Sequence, residues 1–313
     1  MTLTWRPLTV EDAEAWATLV NLLAEVDGTE EFYEPEDLRE ELQHQEGFDP
    51  ALDTLAAWQG DLLAGFVALW VSGNLDADGR ATVGIGGGVH PEFRGRGIGR
   101  ELMDRIERRG LAVAAERHPG AETYLRASGG LAGASVRPLL EHRGYELARY
   151  FHELERPLSG GLTTSGGVRP FDAELAEQVR LAHNEAFAGH WGSSPRTEAN
   201  WRELVASRAF RPGFSFVSLA ADGLVDAYVI ARQWVEGELY VELVGTRPRA
   251  RGRGLARACL AASLAAAGAA GLTKAALTVD GENGTGAGRL YASMGFEPVR
   301  VVASYRKLAF AGR

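Results

Sequence analysis

The chain has 313 residues, of which 45% are apolar and 24% charged, and its formal net charge is −9. Such values describe a soluble globular protein of about two domains. The acidic balance excludes a general nucleic-acid binder, and it suits a cationic acceptor such as an amine. Thr2, Thr4, Trp5 and Arg6 break any early apolar run, and the apolar stretch Leu62 to Val71 is about half of a membrane span. A cytoplasmic protein without membrane or nucleic-acid partners is therefore expected. Cys259 is the only cysteine, so no intrachain disulfide can form. It sits in an apolar helical stretch and is read as a packing residue.

In chain order, Leu3 to Leu8 reads as a strand, and Thr9 or Asp12 caps a helix running to about Leu23. A short helix follows Pro35. Leu52 to Trp58 and Leu62 to Val71 form a hairpin around Gly60-Asp61. Ala81 to Val89 is a strand, although Gly86-Gly87-Gly88 weakens it. A helix from Ile98 to Ala115, a strand from Thr123 to Ala127 and a helix near Ser135 to Arg143 follow, and Tyr145 to Leu154 is expected to close the first sheet. Residues 158–167, Gly- and Ser-rich, read as a linker between domains 1–157 and 168–313.

The order then restarts: a strand from Val168, a helix from Asp172 to about Ala188, and a helix start at Ser194 to Glu198 with Pro195 near its first position. A hairpin turns at Asp222-Gly223, Leu239 to Thr246 is a strand, and a long Ala-rich helix begins at Leu255. Ala275 to Val279, Gly286 to Met294 and Phe296 to Leu308 complete the second half. The fold class expected is α+β, as two tandem units, each a mixed, mostly antiparallel sheet flanked by helices.

One motif occurs twice. Arg94-Gly95-Arg96-Gly97-Ile98-Gly99 and Arg251-Gly252-Arg253-Gly254-Leu255-Ala256 stand 157 residues apart, each between a strand and a helix. Glycines let backbone N–H groups converge on one concavity, and the first amides of the following helix lack intrahelical partners. The product is a site for a diphosphate.

This pattern resembles the acetyl-CoA pyrophosphate loop of the GCN5-related N-acetyltransferases (the GNAT superfamily). Val89 to Gly99 matches it closely, and Asn283 to Tyr291 with Gly295-Phe296 resembles the family's last helix and the strand after it. The arrangement is similar to actinobacterial two-domain acetyltransferases. The histidines show no metal-ligand spacing, so no metal is expected. The resemblance implies acetyl-CoA as co-substrate. It implies cofactor contacts from Val244, Gly245, Thr246, Arg251 to Ala256 and Asn283 in the second unit, and from Val89 and Arg94 to Gly99 in the first. It also implies a tyrosine on the last helix that protonates the leaving thiolate. Tyr291 falls at that position. Aligning Gly144-Tyr145 with Gly295-Phe296 puts Leu140 there in the first unit, and leucine cannot donate a proton.

Glu238 and Glu242 share a face of a regular strand. Glu242 is the candidate general base, or the holder of a relay water. The first unit has no carboxylate on the matching strand, so the C-terminal unit is read as catalytic and the N-terminal one as degenerate, able at most to bind acetyl-CoA. His190 and Trp191 border the acceptor region that the resemblance implies, and His183 and His190 would share a helix face if the helix reached that far. The expected activity is direct acetyl transfer to a primary amine of a small molecule, by a monomer or homodimer. A non-catalytic acyl-CoA sensor or scaffold, and a protein or peptide N-acetyltransferase, are the alternatives.

Overall fold

A computed structural model describes residues 2–44, 46–158, 167–282, 284 and 286–309. Its first half runs β1 (Thr4–Arg6), α1 (Ala13–Asp27), α2 (Pro35–His44), α3 (Pro50–Asp53), β2 (Thr54–Gln59), β3 (Leu62–Val71), β4 (Ala81–Val89), α4 (Ile98–Arg117), β5 (Thr123–Gly130), α5 (Val136–His142) and β6 (Glu146–Pro157). The second half runs β7 (Arg169–Pro170), α6 (Ala176–Ala186), α7 (Glu198–Ala206), β8 (Phe216–Leu219), β9 (Val225–Arg232), β10 (Glu238–Thr246), α8 (Leu255–Ala269), β11 (Lys274–Asp280), α9 (Ala287–Ser293) and β12 (Glu297–Ala309). The order repeats as expected, and the sheets are α+β, mostly antiparallel with one parallel pair in each half.

The chain forms two compact units, residues 1–150 with 302–313, and residues 151–301. In the first, the strand order is β1-β2-β3-β4-β5-β12; in the second it is β6-β11-β10-β9-β8-β7. The strand expected to close the first sheet therefore closes the second. Phe151 to Pro157 pairs with β11, and Ala303 to Ala309 pairs with β5. Side chains fix this exchange. Ala303 and Tyr305 are buried in the first core, the Tyr305 hydroxyl donates to Glu141, and Lys307 reaches Glu107. On the other side, Lys274 and Arg300 both bond Glu155. The linker expected at 158–167 lies almost wholly outside the described residues.

Each sheet carries helices on both faces. In the first unit α4 covers one face with Ile98, Leu102 and Ile106, while Trp16, Leu19 and Leu38 of α1 and α2 cover the other. In the second, α8 packs Cys259, Leu260 and Leu264 against Val229, Leu239 and Val241, and α6 and α7 pack Val179, Trp201 and Leu204 against Tyr228 and Ile230. Burial pushes the Cys259 thiol up to about 12, as befits a packing residue.

Several local expectations are corrected. Leu52 and Asp53 belong to the helical turn α3, because the Asp49 side chain caps the Ala51 amide and Pro50 starts a helix well. Helix α1 runs to Asp27, one turn beyond Leu23, and stops at left-handed Gly28. Helix α6 ends at Ala186, so His183 and His190 do not share a helix. Helix α7 starts at Glu198, where Thr197 accepts from the Asn200 amide, and Pro195 lies outside it. Strand β4 persists through its glycines, because Trp70 and Leu23 fill the space their side chains would take.

Candidate active site

Strand β10 runs parallel to β11 only from Glu238 to Tyr240. Beyond that point Val241 to Thr246 pairs with β9, while Leu277 to Asp280 pairs with β6. The two strands diverge, and Val244, Gly245 and Thr246 border the gap. The chain then passes Arg247 and the turn Pro248–Ala250 into the glycine-rich loop and α8.

In that loop Gly252 and Gly254 both take φ of 76°, a left-handed conformation that glycine adopts without strain, and open space surrounds both. The amides of Gly252, Arg253, Gly254 and Leu255 meet no acceptor within the chain among the described residues. Buried Asp226 holds the loop's cations: one oxygen accepts from Arg249 Nε at 2.9 Å, the other from Arg253 at 3.4 Å. Arg247 pairs with Glu185 and bonds the Val225 carbonyl, and Arg251 bonds the Ala186 carbonyl at 3.0 Å. Unpartnered amides, a helix start and half-exposed arginines are the chemistry that suits a diphosphate.

The first loop repeats the backbone and not the charge. Gly95 and Gly97 have φ of 75° and 85°. Arg94, however, is held bidentately by Asp27 at 2.7 and 2.9 Å and also bonds the Val89 carbonyl. Arg96 lies over the Phe93 ring, Ile98 is buried, and Gly99 packs close to Leu139. Where the second loop has Arg247 and Arg249, the first has His90 and Glu92.

Tyr291 lies in α9 and is 8% exposed. Burial pushes its hydroxyl up to about 12, so the proton stays on oxygen throughout the neutral range. Its carbonyl accepts from the Phe296 amide at 3.0 Å, and the Leu140 carbonyl accepts from the Tyr145 amide at 3.0 Å. The two helices thus end alike, with Leu140 standing where Tyr291 does.

Glu242 occupies a β-bulge between Val241 and Leu243. One extra residue interrupts the regular alternation on which the shared face of Glu238 and Glu242 was expected. Glu238 is instead ion-paired with Lys274 at 2.8 Å. Glu242 lies within electrostatic reach of Arg196. Asn283 lies outside the described residues.

On the α6 side, the fully buried Tyr228 ring rests on Gly245; a side chain there would meet the ring at 2.4 Å. The Tyr228 hydroxyl lies 2.8 Å from His183 Nδ1. Phe187 stacks on His183 at 4.5 Å and meets His190 edge-on at 5.3 Å. Trp191 lies 6.4 Å from Phe151, a residue of the exchanged strand. Tyr228, Arg196 and Asp226 escape sequence reasoning, because the register between β9 and β10 that sets Tyr228 opposite Gly245 is not fixed by a tight turn.

Burial, with Arg196 and His190 nearby, pushes His183 down to about 3. The unfolded imidazole takes up a proton near pH 6.5 and the folded one does not. The stability from burying it neutral is therefore full above about pH 6.5 and is lost as pH falls toward 3. The slope expected from this group approaches about 1.4 kcal/mol per pH unit. Urea unfolding at pH 7, 6 and 5 should show a steeper acid loss for the wild type than for His183→Gln; parallel curves would refute it.

Among the described residues no group of three or more His, Cys, Asp or Glu side chains is arranged to hold a metal ion, and no helix is long and apolar enough to cross a membrane. Two repeated α+β units, each with a strand diverging from its parallel neighbour into a glycine-rich helix start, define a class of acyl-transferring folds. The model of the Acetyltransferase (GNAT) family matches residues 16–127 and again 176–296, so the chain belongs to this family, carries its domain twice and is an N-acetyltransferase. It is 32% identical over 309 residues to a mycothiol acetyltransferase of Thermobispora bispora, covering 95% of this chain and 96% of that protein. It is 31% identical over 304 residues to one of Streptomyces avermitilis, covering 94% and 91%. Among solved structures, a GCN5-related N-acetyltransferase from Sphaerobacter thermophilus superposes with a TM-score of 0.77 at 24% identity, covering 99% of this chain and 97% of that one. A tandem GNAT protein from the clavulanic acid biosynthesis pathway gives 0.68 at 16% identity, covering 100% and 99%.

Proposed function

We propose that the chain transfers an acetyl group from acetyl-CoA directly to a primary amine of a small molecule, and that the reaction takes place in the unit formed by residues 151–301. The observation that carries this reading is the contrast at one position. Tyr291 and Leu140 end equivalent helices through the same main-chain hydrogen bond, and only Tyr291 can give a proton.

The open amides from Gly252 to Leu255 fit the diphosphate of the donor, with Arg249 and Arg253 adding charge from positions fixed by Asp226. Among the described residues no strand pairs with β10 on its β11 side beyond Tyr240, which leaves main-chain groups there for the donor's amide-bearing arm. Glu242, or a water it holds, takes the proton of the amine. The nitrogen then bonds the thioester carbonyl carbon, the carbon–sulfur bond breaks, and Tyr291 protonates the departing sulfur. The burial that retains the Tyr291 proton also makes it a weak acid, so donation follows the build-up of charge on sulfur in the transition state. The relatives named as mycothiol acetyltransferases support a small-molecule acceptor.

Calorimetric titration with acetyl-CoA tests the assignment. One site per chain is expected, lost in Gly254→Glu and retained in Gly97→Glu, because Glu at position 254 puts a carboxylate and a strained φ into the cationic loop. Absence of binding at millimolar acetyl-CoA would overturn the function. Loss of the site through Gly97→Glu alone would move it to the first unit.

A further inference from the structure

Resting on that reading of the same site, the geometry points to an acceptor that carries an anionic group, a carboxylate or a phosphate, besides its amine, with Arg196 and Arg232 receiving the anion beside Glu242.

Arg196 stands in the loop between α6 and α7, one residue before the Thr197 cap. Its backbone is clamped from three directions. The amide donates to Asn184 Oδ1 at 2.8 Å, and the carbonyl accepts from Asn184 Nδ2 at 3.1 Å and from Arg180 at 2.8 Å. Among the described residues its guanidinium bonds only the neutral Asn200 Oδ1, at 2.8 Å. Among the described residues no carboxylate comes within ion-pair distance of it. Arg232 ends β9, opposite Tyr240 and beside the bulge that carries Glu242. Among the described residues its buried Nε meets no hydrogen-bond partner, and its guanidinium lies 5.0 Å over the Trp234 ring.

Arg180, Arg247, Arg249 and Arg300 of the same unit, by contrast, each close an ion pair with a carboxylate. A guanidinium offers five donors in a fork that fits a carboxylate or phosphate, and leaving them dry and unpaired is costly. Arg196 lies within electrostatic reach of Arg232, Glu242 and Tyr228, and burial lowers its pKa. With His183 neutral, that set of groups holds two cations against one carboxylate. It adjoins the reaction path, because Tyr228 rests on Gly245 and feels both Arg196 and Tyr291. One carboxylate for the amine and two guanidinium groups for an acid match an acceptor with both charges.

The test uses matched acceptors: glucosamine 6-phosphate against glucosamine, and L-alanine against L-alaninamide, with release of the CoA thiol as the readout. The acid-bearing member of a pair should be favoured in kcat/KM by about ten- to a hundredfold, the value of a charge-assisted hydrogen-bonded pair, and Arg196→Gln should abolish that preference mainly through KM. Arg196→Lys should keep part of it. Equal rates within both pairs, or a preference that survives Arg196→Gln, would overturn the proposal. Should neither pair react, the rise in Tm given by inorganic phosphate decides. The CoA-saturated wild type should respond more than Arg196→Gln, and an identical response overturns the proposal. A protein that fails to bind CoA would instead sink the acetyltransferase reading, and the phosphate comparison without CoA would still judge the Arg196 site.

Discussion

Replacing Tyr291 with phenylalanine is expected to lower kcat by about 10² to 10⁴, the contribution of a positioned general acid, with the Kd for acetyl-CoA unchanged. The substitution removes one oxygen and keeps the ring that packs edge-on against Phe296 at 6.0 Å, so the fold should survive it. Stopped-flow thiol release and calorimetry on the same preparation separate the two effects. An unchanged kcat would remove Tyr291 from the chemistry. With the hydroxyl held near 12, the pH–rate profile should have no limb from this group below about pH 11. Leu140→Tyr alone should not create a second active site, because β4 carries no carboxylate and Arg94 is already engaged by Asp27.

Ending the chain at Val301 is expected to unfold the first unit while the donor loop of the second stays in sequence intact. The truncation strips β5 of its neighbour from Ala303 to Ala309 and takes Tyr305 out of the core. Losing a buried aromatic side chain alone costs about 3–5 kcal/mol, against a total stability of about 5–15 kcal/mol for a domain. It also strips Glu107 of Lys307, leaving that buried carboxylate to Arg143 and the Tyr145 hydroxyl. Hydrogen exchange should show β4 and β5 losing protection first. A truncated chain that melts like the full one would mean that β12 contributes little to the first sheet. For the same reason a fragment ending at residue 157 should not fold stably, although the repeat pattern makes it look complete.

Much of the fold is legible because the strands and helices follow strong local rules, and because the Arg-Gly-Arg-Gly turn repeats at one-domain spacing. The exchange of β6 and β12 is not legible. Nothing local in either strand names its sheet, and the choice is made by long-range pairs such as Tyr305 with Glu141 and Lys307 with Glu107. The loop glycines could be read because only their backbone freedom explains them. The charges on the loop could not, since nothing local reveals that Asp27 captures Arg94 while Asp226 merely orients Arg249 and Arg253. The parity argument for Glu242 presupposes an unbroken strand, and the bulge at that position leaves no mark in composition. Arg196 sits in a polar stretch beside Pro195 that reads as an ordinary loop; only the fold gathers it with Glu242.

The strand exchange also bears on how such a gene can change. A frameshift or a stop codon that discarded either repeat would leave the surviving one with an open sheet edge, the surface from which aggregation starts. Whatever it binds, the first repeat lends the second a strand, Phe151 to Pro157.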